Sequence, residues 1–106
     1  MEETLITVFV TVPDRTVAEK VSRAVVEDRL AACVNIVPGI ESIYRWQGTT
    51  ETSSELLLIM KTTRSRFSQL ELGVLREHPS DTPEIIATTI SDVTDRYKRW
   101  VIESVS

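Results

Sequence analysis

Cysteine and glycine are scarce in this sequence of 106 residues, and each shortage excludes a class of protein. The one cysteine, Cys33, has no partner for a disulfide within the chain, which excludes a disulfide scaffold. Three glycines and four prolines, scattered singly, form no flexible linker and no low-complexity tract. Because nothing in the cysteine usage marks an oxidising compartment, we expect a cytoplasmic protein.

Long apolar runs and an excess of positive charge are absent as well. No stretch approaches the roughly 18 consecutive apolar residues of a membrane-spanning helix, and the acidic start is unlike a secretory signal peptide. Twelve lysines and arginines against sixteen aspartates and glutamates give a net charge of -4, the wrong sign for general binding to a phosphate backbone. We therefore expect neither a nucleic-acid partner nor a membrane partner.

The composition that remains is that of an ordinary folded domain. Hydrophobic residues make up 42% and charged residues 26% of the chain, which argues against intrinsic disorder. Since the composition does not shift along the chain, residues 1–106 are predicted to form one domain. The common phosphate, dinucleotide, zinc-protease and hydrolase motifs are missing, so we assign no catalytic residue and do not expect an enzyme.

Apolar patterns predict strands and helices in the order βαββαβα. The predicted strands cover residues 5–12, 33–46, 55–62 and 83–90. Pro38 and Gly39 are expected to interrupt the second strand with a bulge, and residues 47–50 to form the turn after it. The predicted helices begin after Asp14 or Thr16, at about Arg64 and at Thr94, the first with a capping box formed by Thr16 and Glu19. The last helix is expected to have Tyr97, Trp100, Val101 and Val105 on one side. Two helices that cross between strands indicate an α+β sandwich of the ferredoxin-like type, with an antiparallel sheet and an additional C-terminal helix.

The first and third strands are apolar without interruption, although a sheet with one face in water would alternate apolar and polar residues. Both helical crossovers lie on one face of such a sheet, so the other face needs a cover. The C-terminal helix is too short to cover it alone. Association of identical chains through this face is therefore predicted, in a closed symmetric oligomer.

Six blocks of the sequence form a recognisable series: Thr11–Asp14, Arg29–Ile40, Ser42–Tyr44, Lys61–Thr62, His78–Pro79 and Pro83–Ile86. At these spacings and in this order, the blocks resemble the CutA family of divalent-cation tolerance proteins. The resemblance implies a homotrimer of ferredoxin-like subunits similar to the PII signalling proteins, a link to copper and other divalent cations, and no established enzymatic activity. Ser80 stands where the family often has an aromatic residue, and Val10 where some relatives have a cysteine.

His78 is the only histidine and the first candidate for a metal ligand, since imidazole is the commonest protein ligand of transition metals. One histidine and one cysteine cannot supply a structural zinc site within one chain. Copies that meet in a trimer can combine His78 with Asp81 or Glu84 into a weak, exchangeable site suited to copper(II) or another divalent cation. The alternative is that His78 only ends the second helix, where the helix dipole favours it.

A second set of residues is predicted to line a ligand cleft near the strand ends, where clefts collect polar groups. Every member except Asn35 also has a structural explanation. Lys61 is then a solvated strand end, and Thr62 or Thr63 caps the next helix. Cys33 is then a small core residue. Tyr44 and Trp46, two residues apart on one strand face, then pack in a core or an interface. The predicted cleft residues are Cys33, Asn35, Tyr44, Trp46, Lys61 and Thr62.

Three hypotheses about function follow. The first is a trimeric regulatory module for metal response, which takes a divalent metal or a small ligand in clefts between subunits. The second is a scaffold trimer that acts through a protein partner. The third is an enzyme that uses the same cleft, with His78 as the acid or base and Lys61 holding an anion.

Overall fold

A computed structural model describes residues 3–106, in which four strands and three α-helices follow one another as predicted. The four strands form one antiparallel sheet in the order β2-β3-β1-β4. This is the ferredoxin-like arrangement, which confirms the predicted fold class. The elements are β1 Leu5–Val12, α1 Arg15–Glu27, β2 Cys33–Trp46, β3 Thr49–Thr63, α2 Phe67–Glu77, β4 Ile85–Thr89 and α3 Asp95–Ser104.

The hairpin between β2 and β3 is longer than predicted. Residues 47–50 were expected to be a turn, but the turn consists of Gln47 and Gly48 alone, because Trp46 already pairs with Thr49. Both turn residues have positive φ, 50° and 84°, which suits the twist of a two-residue hairpin. β3 therefore begins six residues before the predicted start at Glu55, in a polar stretch that apolar patterning does not detect.

The observed helix starts show which of the predicted capping residues are used. Asp14 is the N-cap of α1, and its Oδ1 accepts a hydrogen bond of 2.9 Å from the backbone N–H of Val17. The predicted capping box of Thr16 and Glu19 was therefore wrong, since Thr16 already lies inside the helix. A single 3-10 turn, Arg64–Arg66, precedes α2 where the prediction had one continuous helix.

Gly73 lies in the middle of α2 for a packing reason. A Cβ atom at this position would lie 2.8 Å from Cδ1 of Leu30 and 3.6 Å from Cγ1 of Val25. Since Val25 belongs to α1, the missing side chain lets the two helices approach each other closely. None of the helices within residues 3–106 combines the length and the apolar character needed to cross a membrane.

α1 and α2 cover one face of the sheet, which we call the covered face. Alternate residues of β1 point to it, and Leu58 and Met60 of β3 join them with no exposed surface. Every second position of these strands is therefore in the core. The buried residues of this core are Ile6, Val8, Val10, Val12, Ala18, Val21, Val25, Ala31, Leu58, Met60, Leu70 and Val74.

The opposite face, called the open face, is covered at one end only. There, Val101 of α3 and Val105, the residue after the helix, pack on Leu5 and Ala32. Tyr97 and Trp100 were predicted on the same side of α3, but they remain 37% and 45% exposed. Beyond α3 the open face carries an apolar belt that no other described element covers, consisting of Phe9, Val37, Leu57, Ile59 and Ile86.

A β-bulge lies where Pro38 and Gly39 interrupt β2, as the sequence predicted. Val37 pairs with Leu57 and Ile40 pairs with Glu55, so the register of β2 against β3 shifts by one residue here. The bulge changes which residues of β2 face the open side, from the odd-numbered ones before it to the even-numbered ones after it. Residues 40–55 beyond the bulge form a two-stranded ribbon, called the arm.

Candidate functional site

A cavity of about 590 Å³ lies between the arm and the segment 78–84 that joins α2 to β4. The bulge directs Ser42, Tyr44 and Trp46 of the arm to one strand face. Thr11, near the end of β1, closes the cavity from the sheet. The residues that line it are Thr11, Ser42, Ile43, Tyr44, Trp46, Glu55, His78, Ser80, Thr82, Pro83 and Glu84.

His78 ends α2, and both nitrogens of its imidazole are hydrogen-bonded. Nε2 lies 2.8 Å from the carbonyl oxygen of Thr11, which can only accept, so Nε2 carries the proton. Nδ1 lies 3.1 Å from the backbone N–H of Ser80, which can only donate, so Nδ1 presents its lone pair. These two contacts define a neutral imidazole with a fixed tautomer and a fixed ring orientation.

The segment after His78 is folded back by local hydrogen bonds. The hydroxyl of Ser80 accepts a bond of 3.2 Å from the backbone N–H of Thr82, a turn typical of serine. Pro83 and Glu84 then lead into β4. The turn brings Glu84 to the same cavity as His78, six positions further along the chain.

The charged groups that line the cavity are both acidic. Glu55 comes from β3 and Glu84 from the segment before β4, and no lysine or arginine is among the lining residues. Within residues 3–106, no group of three or more histidine, cysteine, aspartate or glutamate side chains is close enough to hold a metal ion. Within this part of the chain, a metal in the cavity therefore finds at most two such side chains.

Four residues predicted for the site meet in this cavity: His78, Glu84, Tyr44 and Trp46. Asp81 belongs to the same segment but is not among the lining residues. The sequence analysis missed Glu55. In the sequence, Glu55 is marked only as the charged residue that begins the run ELLLIM. It lies at the cavity because β3 pairs with the bulged strand β2.

The other predicted cleft residues lie elsewhere on the open face, in a group called the polar row, which consists of Cys33, Asn35 and Lys61. Cys33 and Lys61 are paired across β2 and β3, and Lys61 Nζ donates to Oδ1 of Asn35. The Sγ of Cys33 lies 3.9 Å from the same oxygen. Lys61 is six residues from Glu55 along β3, or roughly 20 Å at the rise of a strand, so the row and the cavity are separate.

Thr62, also predicted to line the cleft, lies neither in the cavity nor in the polar row and has a structural role. Its side chain is fully buried, and its hydroxyl donates a hydrogen bond of 2.7 Å to the carbonyl oxygen of Leu30. Thr63 begins the 3-10 turn, but its hydroxyl contacts Ser65 Oγ at 3.2 Å and makes no capping bond. Thr62 therefore ties β3 to the segment after α1.

Tyr97 of α3 lies beside the polar row. Partial burial, together with the nearby thiol of Cys33, raises the pKa of its phenol above the ordinary value. The ring also packs on Trp100, with centroids 5.5 Å apart. The polar row is thus shielded on one side by α3, whereas the cavity is not.

Comparison with known proteins identifies the relatives of this chain. The family model for the CutA1 divalent ion tolerance protein matches residues 6–104. The divalent-cation tolerance protein CutA of Thermus thermophilus is 48% identical over 97 residues, which cover 92% of this chain and 94% of that protein. A solved structure of the divalent cation tolerance protein from the same organism superposes with a TM-score of 0.94 at 46% identity, covering 96% of this chain and 99% of that one.

A plant relative is longer. The chloroplastic protein CutA of Arabidopsis thaliana is 46% identical over 99 residues, which cover 93% of this chain but 54% of that protein. This chain therefore spans about half the length of the plant relative and nearly all of the bacterial one.

Proposed function

Because the chain belongs to the CutA1 family of divalent ion tolerance proteins, we propose that it acts as a homotrimer that binds a divalent cation, such as copper(II), in clefts between its subunits. Its role is regulatory: it binds the metal as part of a metal response and catalyses no reaction. The cavity beside the arm is the part of the cleft that one chain contributes.

The observation that carries the metal proposal is the orientation of His78. Histidines that bind metals almost always donate their second ring N–H to a carbonyl or carboxylate, which fixes the tautomer and the ring. Nε2 of His78 makes this bond to Thr11, and Nδ1 holds its lone pair beside the cavity. An incoming cation has to displace one hydrogen bond of 3.1 Å from Ser80.

Carboxylates supply the remaining donors in this proposal. Glu84 lines the same cavity, and Asp81 lies three residues before it. Nitrogen and oxygen donors of this kind suit copper(II), which binds such sites more tightly than other divalent first-row metals do. With so few donors in one chain, the site is weak and exchangeable, and a neighbouring subunit completes it.

The apolar belt of the open face supports the trimer. Ile86 is 54% exposed and Val37 is 38% exposed in the isolated chain, beside Leu57 and Ile59 of β3. A contiguous apolar surface on a folded domain indicates an interaction site. Copies of the same chain that pack these belts together remove them from water.

We place the protein in the cytoplasm. Cys33 has no disulfide, which is compatible with a reducing compartment. The chloroplastic location in the name of the Arabidopsis protein belongs to a longer chain, of which this one covers 54%.

Native mass spectrometry with and without copper(II) tests assembly and metal binding together. We expect a species at three times the 12.0 kDa of one chain that takes up copper in a fixed ratio. His78→Gln is the matched variant, since its amide can still donate to Thr11 while the imidazole is lost. It is expected to keep the trimer and to bind copper at least about tenfold more weakly.

Two results contradict the proposal. A monomer at micromolar concentration would overturn the trimer. A His78→Gln trimer with unchanged copper affinity would overturn the metal site. A metal-free trimer that recovers one protein partner from cell extract, in parent and variant alike, would favour the scaffold hypothesis instead.

A further inference from the structure

The cavity beside the arm is much larger than a metal site. Its volume of about 590 Å³ lies within the range of about 300 to 1,000 Å³ that is typical of sites for organic ligands. A single water occupies about 30 Å³ in the liquid, so one hydrated cation leaves most of this space unused. The cavity of the single chain therefore has room for an occupant with a carbon skeleton.

The charge of the lining residues favours a positively charged ligand. Glu55 and Glu84 are both acidic, and no lysine or arginine faces them from the lining. His78 adds no positive charge in the tautomer that its two hydrogen bonds define. In the lining that this chain supplies, a bound anion meets two carboxylates and no lysine or arginine, whereas a cation is attracted by both carboxylates.

Two aromatic rings supply an apolar surface that also favours cations. Trp46 is 52% exposed and Tyr44 is 42% exposed, on the same strand face of the arm. The hydroxyl of Tyr44 contacts Ser53 Oγ at 2.7 Å, which holds the ring in place. The backbone carbonyl of Trp46 accepts a bond of 3.0 Å from Thr49, which fixes the end of the arm. The faces of such rings attract ammonium groups.

We propose that this cavity binds a primary ammonium ion that carries an apolar, preferably aromatic, body. The ammonium group donates hydrogen bonds to Glu55 and Glu84, and the body packs on Tyr44 and Trp46. Amines of this class are a ligand distinct from the divalent cation. The proposal uses the cavity of the proposed function, but it requires neither bound metal nor His78 as a ligand.

Isothermal titration calorimetry with three related probes tests the chemistry, in buffer that contains a chelator. Phenethylamine is charged at neutral pH, phenethyl alcohol has nearly the same shape without the charge, and phenylacetate is an anion. We expect binding of the amine, affinity at least about tenfold lower for the alcohol, and no binding of the anion.

Matched variants test the residues. Glu55→Gln and Trp46→Leu are each expected to weaken amine binding about tenfold. Glu41→Gln and Trp100→Leu are the controls, because these two residues are exposed but do not line the cavity. Both controls are expected to bind the amine like the parent protein.

Equal binding of amine and alcohol would overturn the proposal, and so would an unchanged affinity in Glu55→Gln and Trp46→Leu. No amine binding to a trimer that does take up copper would also overturn it, while the proposed metal function would stand. Amine binding to a protein that takes up no copper would support this proposal and remove the metal function. The two proposals can therefore fail separately.

Discussion

The two faces of strand β3 carry similar apolar residues but differ in how far those residues are buried. Leu58 is fully buried beneath α1 and α2, whereas its neighbour Leu57 points to the open face and keeps part of its surface in water. Met60 and Ile59 repeat the contrast two residues further on. Side-chain type does not separate these pairs, so the difference comes from where the two crossover helices lie.

The covered face contributes mainly to stability, and the open face carries the groups proposed for function. The covered face holds the core of twelve buried residues and little polar chemistry. The open face and its extension in the arm hold both the polar row and the cavity, together with the apolar belt. A domain of this size gains most of its stability from one core, which leaves the second face available for partners and ligands.

The largest effect is expected on the covered face. Leu58→Ala removes a fully buried side chain and leaves a cavity in the core. We expect a loss of about 2 to 5 kcal/mol in the free energy of unfolding, measured by urea denaturation.

Leu57→Ala is the matched control for this prediction, with the same substitution one residue away on the open face. It should cost less than half as much at dilutions where the chain is monomeric. In a trimer the loss should grow with protein concentration, because the neighbouring copies then bury Leu57 as well. Equal, concentration-independent losses at both positions would contradict the division between the faces.

An intermediate effect is expected at the bulge, which decides to which face the arm residues belong. Gly39 has φ of +78°, and a Cβ atom there would meet no other atom within 4 Å. Gly39→Ala should therefore cost only the strain of the left-handed backbone, about 1 to 2 kcal/mol in urea denaturation.

Gly39→Asn is the control at this position, because asparagine tolerates that backbone region better than alanine. It should lie between the parent protein and Gly39→Ala in unfolding free energy. No loss in either variant would show that the bulge does not depend on a positive φ at this residue.

The smallest effect concerns Tyr97, where α3 meets the open face. In a Tyr44→Phe background Tyr97 is the only tyrosine, and its phenolate absorbance should appear at a pH above the usual phenol range. Burial is the largest single cause and the charge and hydrogen bonding of Cys33 add to it, so adding Cys33→Ala should lower the pKa only part of the way to its ordinary value. A complete return to the ordinary pKa would contradict this order of causes.

The same shift predicts how stability depends on pH. The folded state holds the phenol proton more tightly than the unfolded state does, so the unfolded state binds fewer protons once the pH exceeds about 10. Stability from this group is complete below that value and should fall as the pH rises through the raised pKa of Tyr97. Tyr97→Phe should weaken this alkaline decline, which urea denaturation at a series of pH values would measure.

Much of the fold was predictable because local patterns determine it. The run from Leu5 to Val12 and the segment Cys33–Trp46 have the predicted bounds, and Pro38 with Gly39 marks the bulge. The arm was underestimated, because residues 49–54 are polar and their strand exists through pairing with β2. A search for apolar patterns cannot detect a polar two-stranded ribbon that is held together by hydrogen bonds between backbones.

The site was predictable only in part. His78 was selected as the only histidine and Glu84 as a carboxylate that could join it, with support from the family resemblance, and the structure brings both to the same cavity with Tyr44 and Trp46. Lys61 was grouped with them, although it lies in the polar row, further along β3. The roles of these residues as ligands stay predictions. Sequence spacing cannot measure a distance between residues on different strands, since that distance depends on register.

The sequence by itself determined the order of the elements, the position of the bulge and the family, because periodicity, turn residues and motif spacing are local properties of the chain. Only the tertiary structure decided that Glu55 shares a cavity with Glu84, and that Nδ1 of His78 presents a lone pair. Both results depend on pairing between distant segments. A strand side chain reaches one face or the other according to register and bulge, and a histidine tautomer is set by partners far away in the chain, here the carbonyl of Thr11.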